Sequence, residues 1–208
     1  MRGAEWVPGG AFPPRCAAFR HRYPSTMTPP YSLPDHLSTD RFLLRRASPD
    51  NAHAAFDAYA SDPRVTPYLA WRTHRHPDGT RAFFVRAAAK WTAGTGFPMV
   101  ILPRESAREV IGMIHPEVTG DTVVYGYVLS ARWWGRGCMT EVLRRLVRHA
   151  LAHPAVRRVE ATCAPENTAS ARVLENAGLV LEGVLRQHMV RPNLSDQPGD
   201  SLVYAATR

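Results

Sequence analysis

The sequence predicts an α/β domain of the α+β type: a mixed, mostly antiparallel sheet of about seven strands with helices on both faces. Three observations predict it. The elements read in order as strand, two helices, three strands, helix, strand, helix, two strands. The middle strands are joined by turn-sized connections, which suit antiparallel hairpins. The strand–helix–strand passage over residues 122–163 is long enough for a parallel crossover.

Residues 1–34 hold seven of the chain's eighteen prolines, with Gly9-Gly10 and Pro13-Pro14. Proline at that density breaks any helix, so the segment reads as a disordered extension. It lacks the apolar stretch of a secretory signal. Met27 is an alternative start, which would leave residues 1–26 untranslated. The domain then occupies residues 35–208.

Arg41 to Arg45 reads as the first strand. Ser48-Pro49 is a helix start, with serine as cap and proline at the first helical position. Ala52, Ala55, Phe56 and Tyr59 follow at helical spacing. Asp78 opens a second helix to about Trp91, with Phe83, Phe84 and Ala87 inward. Strands are expected at about 97–103, 109–116 and 121–130, with turns at 103–106 and 117–120. Met139, Val142, Leu143, Leu146, Val147, Ala150 and Leu151 repeat at steps of three and one, which puts all seven on one face of a helix. Glu141 and Arg145 stand at a favourable i,i+4 spacing on the other face. Pro154 ends this helix. Arg158 to Cys163 is a strand. Asn167 or Thr168 caps a short helix closed by Gly178. Strands at about 179–190 and 201–206 end the chain.

The length, 208 residues, suits one domain with a sizeable core. No stretch approaches the ~18 apolar residues of a membrane span, so no membrane partner is expected. The net charge is +8, but 25 of the 26 basic residues are dispersed arginines, and residues 1–26 alone supply +3. Dispersed charge favours anionic ligands in general, so nucleic acid is not expected as the main partner. Three cysteines without a C-x-x-C pair imply neither a disulfide framework nor a zinc site, and suit a reducing, cytoplasmic compartment. His74 and His76 lack a third ligand at metal-binding spacing, and no metal site is expected.

The informative stretch runs from Tyr127 through Ser130-Ala131-Arg132-Trp133-Trp134-Gly135-Arg136-Gly137-Cys138-Met139 to Glu141. A strand enters a glycine-containing loop, which enters the amphipathic helix. Gly135 and Gly137 allow a tight turn and remove side chains that would block a ligand. The first helical turn leaves backbone N–H groups without internal partners, a site suited to a diphosphate. Arg132 and Arg136 add positive charge. A glycine turn needed for geometry alone is the competing reading. The dinucleotide fingerprint does not apply, because its third glycine is missing.

Downstream stands Ala164-Pro165-Glu166-Asn167-Thr168-Ala169-Ser170, then Glu175-Asn176-Ala177-Gly178-Leu179 and Glu182-Gly183-Val184-Leu185-Arg186. With the R-x-x-G-x-G loop, this resembles the GCN5-related N-acetyltransferase (GNAT) superfamily, in the branch of the RimJ and RimL ribosomal-protein N-terminal acetyltransferases. The resemblance covers about residues 38–206. It implies the acyl-CoA N-acyltransferase fold, with a splayed sheet, and acetyl-CoA as cosubstrate. It also implies that Trp134, Gly135, Arg136, Gly137, Cys138 and Met139 hold the pyrophosphate. Val128 and Leu129 would pair with the pantetheine amides, in a gap between their strand and the one ending at Cys163. Asn167 would bind the cosubstrate or merely cap its helix.

The implied reaction is direct attack of an amine on the thioester in a ternary complex. The tyrosine that many members use as acid is replaced by Leu174, and Ser170 is the candidate acid. The glutamate common on the fourth strand is replaced by Val124, and Glu117 is a substitute base or a solvated turn residue. Cys138 or Cys163 could suggest an acyl-cysteine, but direct transfer needs none. Tyr68, Trp71, Arg72 and the 187–200 loop should shape the acceptor site. Arg72, Arg186 and Arg191 would favour an acidic acceptor over a polyamine. The expected acceptor is a protein or peptide α-amine. A small-molecule amine acetyltransferase and a non-catalytic acyl-CoA sensor are the alternatives. The protein is expected as a monomer or homodimer.

Overall fold

The computed structural model describes residues 30–208. Residues 1–29 of the expected extension lie outside the described residues. The expected boundary at 34 moves back, because Tyr31 and Leu33 are buried. They alternate, so one face of this short segment is apolar, and the Tyr31 ring meets Phe97 edge-on at 5.9 Å.

Eight strands form one sheet, in the order β1-β2-β3-β4-β5-β6-β8-β7. The unexpected strand is β1 (His36–Ser38), which pairs with β2 (Phe42–Arg46) and is too short to show a period in sequence. Next come β3 (Met99–Pro103), β4 (Gly112–Thr119) and β5 (Thr122–Leu129), all antiparallel. β4 runs past the expected turn, so Glu117 is a strand residue opposite Val124. β6 (Arg158–Cys163) joins β5 in parallel, the expected crossover. β7 (Val180–Arg191) and β8 (Ser195–Thr207) make a longer hairpin than expected. The expected 187–200 loop is mostly strand, with register shifts that had hidden its alternation.

α1 (Ala52–Ala55) continues a tight turn at Pro49–Asn51 and leads into a widened turn at Phe56–Ala60. Asn51 Oδ1 accepts the Ser48 N–H at 3.0 Å, so asparagine supplies the side-chain acceptor in this start. α2 (Pro77–Ala93) begins one residue before Asp78, because Pro77 takes the first helical position and the His76 ring accepts the Asp78 N–H. Phe84 and Ala87 are buried there, and Phe83 is half-buried. α3 (Cys138–Ala152) buries six of its seven expected inward residues; Leu151 is half-buried. α4 (Thr168–Asn176) is capped by Asn167, and Gly178 adopts φ +97 just beyond it.

The core has two layers because side chains alternate across each strand. Ile114, Val123 and Tyr125 pack with α3 and α4 on one face, and Tyr127 leans on the same cluster. Val100, Leu102 and Met113 pack with α1 and α2 on the other, joined by Val128. β5 therefore presents Val124, Gly126 and Val128 to one side and Val123, Tyr125 and Tyr127 to the other.

Candidate active site

β5 and β6 pair only at Thr122–Arg158, Val123–Val159 and Val124–Glu160. Beyond these, β6 follows β8, with Ala161 opposite Tyr204 and Cys163 opposite Leu202. The expected gap is therefore present. From Tyr125 to Leu129 the β6-facing edge of β5 has no strand partner, although β4 still pairs with its other edge. Such an edge is a ready template for an extended amide-bearing ligand.

At the upper end of that edge the chain turns through Ala131–Trp133 into α3. Gly135 and Gly137 have φ values of +72 and +70, which glycine adopts without steric cost. The first backbone bond into the helix is Glu141 N–H to Gly137 O, at 3.1 Å. The N–H groups from Gly135 to Thr140 thus have no backbone acceptor among the described residues. Arg132 and Arg136 are exposed, and Arg136 lies over the Trp133 ring at 5.3 Å. Trp133 wedges beneath the loop, edge-on to Phe42. Trp134 is half exposed and donates its indole N–H to Leu129 O at 2.9 Å, tying the loop to the strand end.

Arg41 escaped the sequence reading. Its Nε bonds Glu141 Oε2 at 2.6 Å, its backbone N–H bonds Glu141 Oε1 at 2.9 Å, and its Nη1 bonds Arg136 O at 3.1 Å. Glu141 is therefore held by Arg41 and not by Arg145 as expected. Burial raises the Glu141 carboxyl's pKa, but hydrogen bonds from Thr39 and Arg41 outweigh it and hold the group below the ordinary value. Nothing local in the sequence signals a contact across 100 residues. Arg41→Ala should cost about 1–2 kcal/mol in chemical denaturation, and the loss should shrink, though not vanish, once acid protonates Glu141, because the bond to Arg136 O does not titrate. An unchanged midpoint at neutral pH would contradict the clamp.

On the α4 side, Ser170 Oγ and Tyr127 OH lie 2.6 Å apart, and the Ser170 N–H donates to Asn167 Oδ1 at 3.1 Å. Asn167 thus caps its helix. Burial raises the Tyr127 phenol's pKa, with the Ser170 bond acting against it. Tyr127 was not foreseen as Ser170's partner, since the two come from different elements. Leu174 is fully buried. Burial also raises the pKa of both Cys138 and Cys163, which keeps them as thiols and disfavours an acyl-cysteine.

On the α2 side, a cavity of about 40 Å³ is lined by residues including Tyr59, Trp71, Phe83, Met113 and Val128. Tyr68 is half-buried outside that lining. Arg72 turns to the β7–β8 tip, bonding Asp196 Oδ1 at 2.6 Å and Pro192 O at 2.8 Å. From the same tip, Asn193 Nδ2 donates to Trp71 O and Thr66 O. Arg186 pairs with Asp200, and the buried Arg191 bonds Asp200 O and Ser201 Oγ. The expected argument for an acidic acceptor therefore fails, because Asp196 and Asp200 meet the charges of Arg72 and Arg186. Glu117 is not a solvated turn residue: its Oε1 takes the Lys90 ammonium and lies 3.4 Å from His115 Nε2.

A family model described as an acetyltransferase (GNAT) domain matches residues 41–180. This chain belongs to the GNAT acetyltransferase family. The uncharacterized N-acetyltransferase YoaA of Bacillus subtilis is 27% identical to this GNAT enzyme over 175 residues, covering 83% of this chain and 96% of YoaA. Two solved structures share the fold. The microcin C7 self-immunity acetyltransferase MccE, in complex with acetyl-CoA and AMP, superposes with a TM-score of 0.73 at 17% identity, over 81% of this chain and 93% of that one. RimL, a ribosomal L7/L12 α-N-protein acetyltransferase in complex with coenzyme A, gives 0.71 at 20% identity, over 81% and 95%. Among the described residues, no helix is long and apolar enough to cross a membrane.

Proposed function

We propose that this GNAT acetyltransferase moves the acetyl group of acetyl-CoA onto the α-amine of a protein or peptide in the cytoplasm. Its carrying observation is the run of N–H groups from Gly135 to Thr140 without backbone acceptors, which stands above the edge of β5 from Tyr125 to Leu129 that has no strand partner. An elongated ligand with a diphosphate at one end and amides along its length fits that arrangement. Main-chain groups of Trp134, Gly135, Arg136, Gly137, Cys138 and Met139 hold the diphosphate, and Arg132 and Arg136 add charge. Val128 and Leu129 pair with the amides. Asn167 caps α4 with Oδ1 and keeps its Nδ2 for the ligand.

Bound acetyl-CoA supplies an activated acyl carbon. The chain's own work is positional and electrostatic. The two sheet faces hold the reactants in line, and donors near Leu129 offset charge on the acyl oxygen. Ser170 Oγ passes a proton to the departing sulfur and is refilled from Tyr127. Glu117 serves proton removal on the other face. Tyr68, Trp71 and Arg72 frame the acceptor, with Arg72 acting through the hairpin tip it holds.

An α-amine, with a pKa near 8 against about 10.4 for lysine, needs less help to become neutral. That supports an N-terminal acceptor, as does the likeness to RimL, a ribosomal L7/L12 α-N-protein acetyltransferase. The second reading is a small-molecule amine; MccE, which shares the fold, holds AMP as well as acetyl-CoA. Thiol release from acetyl-CoA should be followed with peptides bearing a free α-amine, Nα-blocked lysine peptides, spermidine and an aminoglycoside. Release with the free α-amine peptides is the expected result. Preference for either small amine would overturn the peptide reading. Binding without release by any acceptor would favour the sensor.

A further inference from the structure

We propose that His115 is the base that takes the proton from the attacking amine, with Glu117 as its positioning residue. This deepens the acetyltransfer reading and rests on it. The register places His115 directly across the strand pair from Gly126, and Glu117 across from Val124. All four belong to the face of the sheet under α2. A Cβ on Gly126 would meet nothing within 4 Å, so open space lies over Gly126, across the strand pair from His115. That space adjoins the depth of the gap, since β5 and β6 make their last pair at Val124–Glu160. Ser170 and Tyr127 stand on the opposite face of β5. The strand thus separates a group suited to the amine from a pair suited to the sulfur.

The imidazole is neutral and its Nε2 has no hydrogen-bond partner among the described residues. That nitrogen is buried, and Glu117 Oε1 lies 3.4 Å away. A buried ring nitrogen without a partner calls for an explanation. The groups facing it are Glu117 from its own strand, and Lys90 and the Phe83 ring from α2; Gly126 of β5 offers no side chain. Burial pushes the ring's pKa down to about 4, Glu117 opposes that and Lys90 reinforces it. The ring is therefore neutral at physiological pH, with Nε2 able to accept when the proton sits on Nδ1. As the C–N bond forms and the C–S bond breaks, one amine proton passes to His115 Nε2, directly or through one water. Glu117 carries the charge that then appears on the ring, and Ser170 protonates the leaving sulfur.

The test uses the full chain, acetyl-CoA and the acceptor panel described above. His115→Ala should lower kcat/KM by about 100-fold, leave acetyl-CoA affinity unchanged, and recover activity when free imidazole fills the space. His115→Gln fills the site but cannot take a proton, so it should lose the same rate without rescue. Glu117→Gln should weaken turnover and leave cosubstrate affinity alone. Wild-type rates in His115→Gln, or a folded His115→Ala whose loss imidazole does not relieve, would overturn the base assignment alone. Absence of thiol release by the wild type with every acceptor would instead overturn the acetyltransfer reading, and the base with it.

Discussion

Gly137→Asp is expected to abolish acetyl-CoA binding while leaving a folded protein. Gly137 is the residue before α3 and sits at φ +70. Aspartate tolerates that region better than most residues, at a cost of about 1 kcal/mol, and a carboxylate in place of glycine at a helix cap returns only a few tenths of a kcal/mol. The new Cβ would meet Arg41 Nη2 no closer than 3.8 Å, an ordinary contact. Its carboxylate would then take first-turn N–H groups for itself and put a negative charge where the proposed diphosphate site lies. Affinity should fall by more than about 100-fold, or roughly 2.7 kcal/mol, by calorimetric titration. The thermal midpoint should move by only a few degrees. A folded variant that still binds acetyl-CoA as the wild type does would remove the loop from the site.

Ser170→Ala should lower kcat by about 100-fold with little change in acetyl-CoA affinity. The substitution removes the hydroxyl 2.6 Å from Tyr127 OH and keeps the backbone N–H that Asn167 caps. The helix start therefore survives, which separates the chemical role from a structural one. Asn167→Ala is the complement: it should cost about 1 kcal/mol of stability through the lost cap. If Ser170 and Tyr127 form one proton path, Tyr127→Phe added to Ser170→Ala should lose less than the two single effects combined. An unchanged kcat in Ser170→Ala would return the serine to an ordinary place on α4.

Local pattern carried much of the molecule. The helix after the glycine loop was legible because apolar residues at steps of three and one can share only one face. The loop was legible because two glycines ahead of such a helix leave unpartnered N–H groups wherever the helix lies. Other parts were not. Prolines masked the buried Tyr31 and Leu33, and three-residue β1 had no period to detect. Glu117 looked like turn because Gly120 and Asp121 follow closely, yet its strand continues to Thr119. The 187–200 segment looked like loop because register shifts broke its alternation.

The sequence by itself determined the order of the elements other than β1, the crossover, and the glycine turn that opens the long helix between Trp134 and Met139. Each depends on neighbours within a few turns or one strand. Only the tertiary structure decided that Arg41 clamps Glu141, that Tyr127 partners Ser170, that Asp196 and Asp200 meet Arg72 and Arg186, and that His115 stands opposite Gly126. Those pairings join elements far apart in the chain, and side-chain hydrogen bonds reach about 3 Å. Their partners are therefore set by strand register and helix docking, which no local spacing encodes.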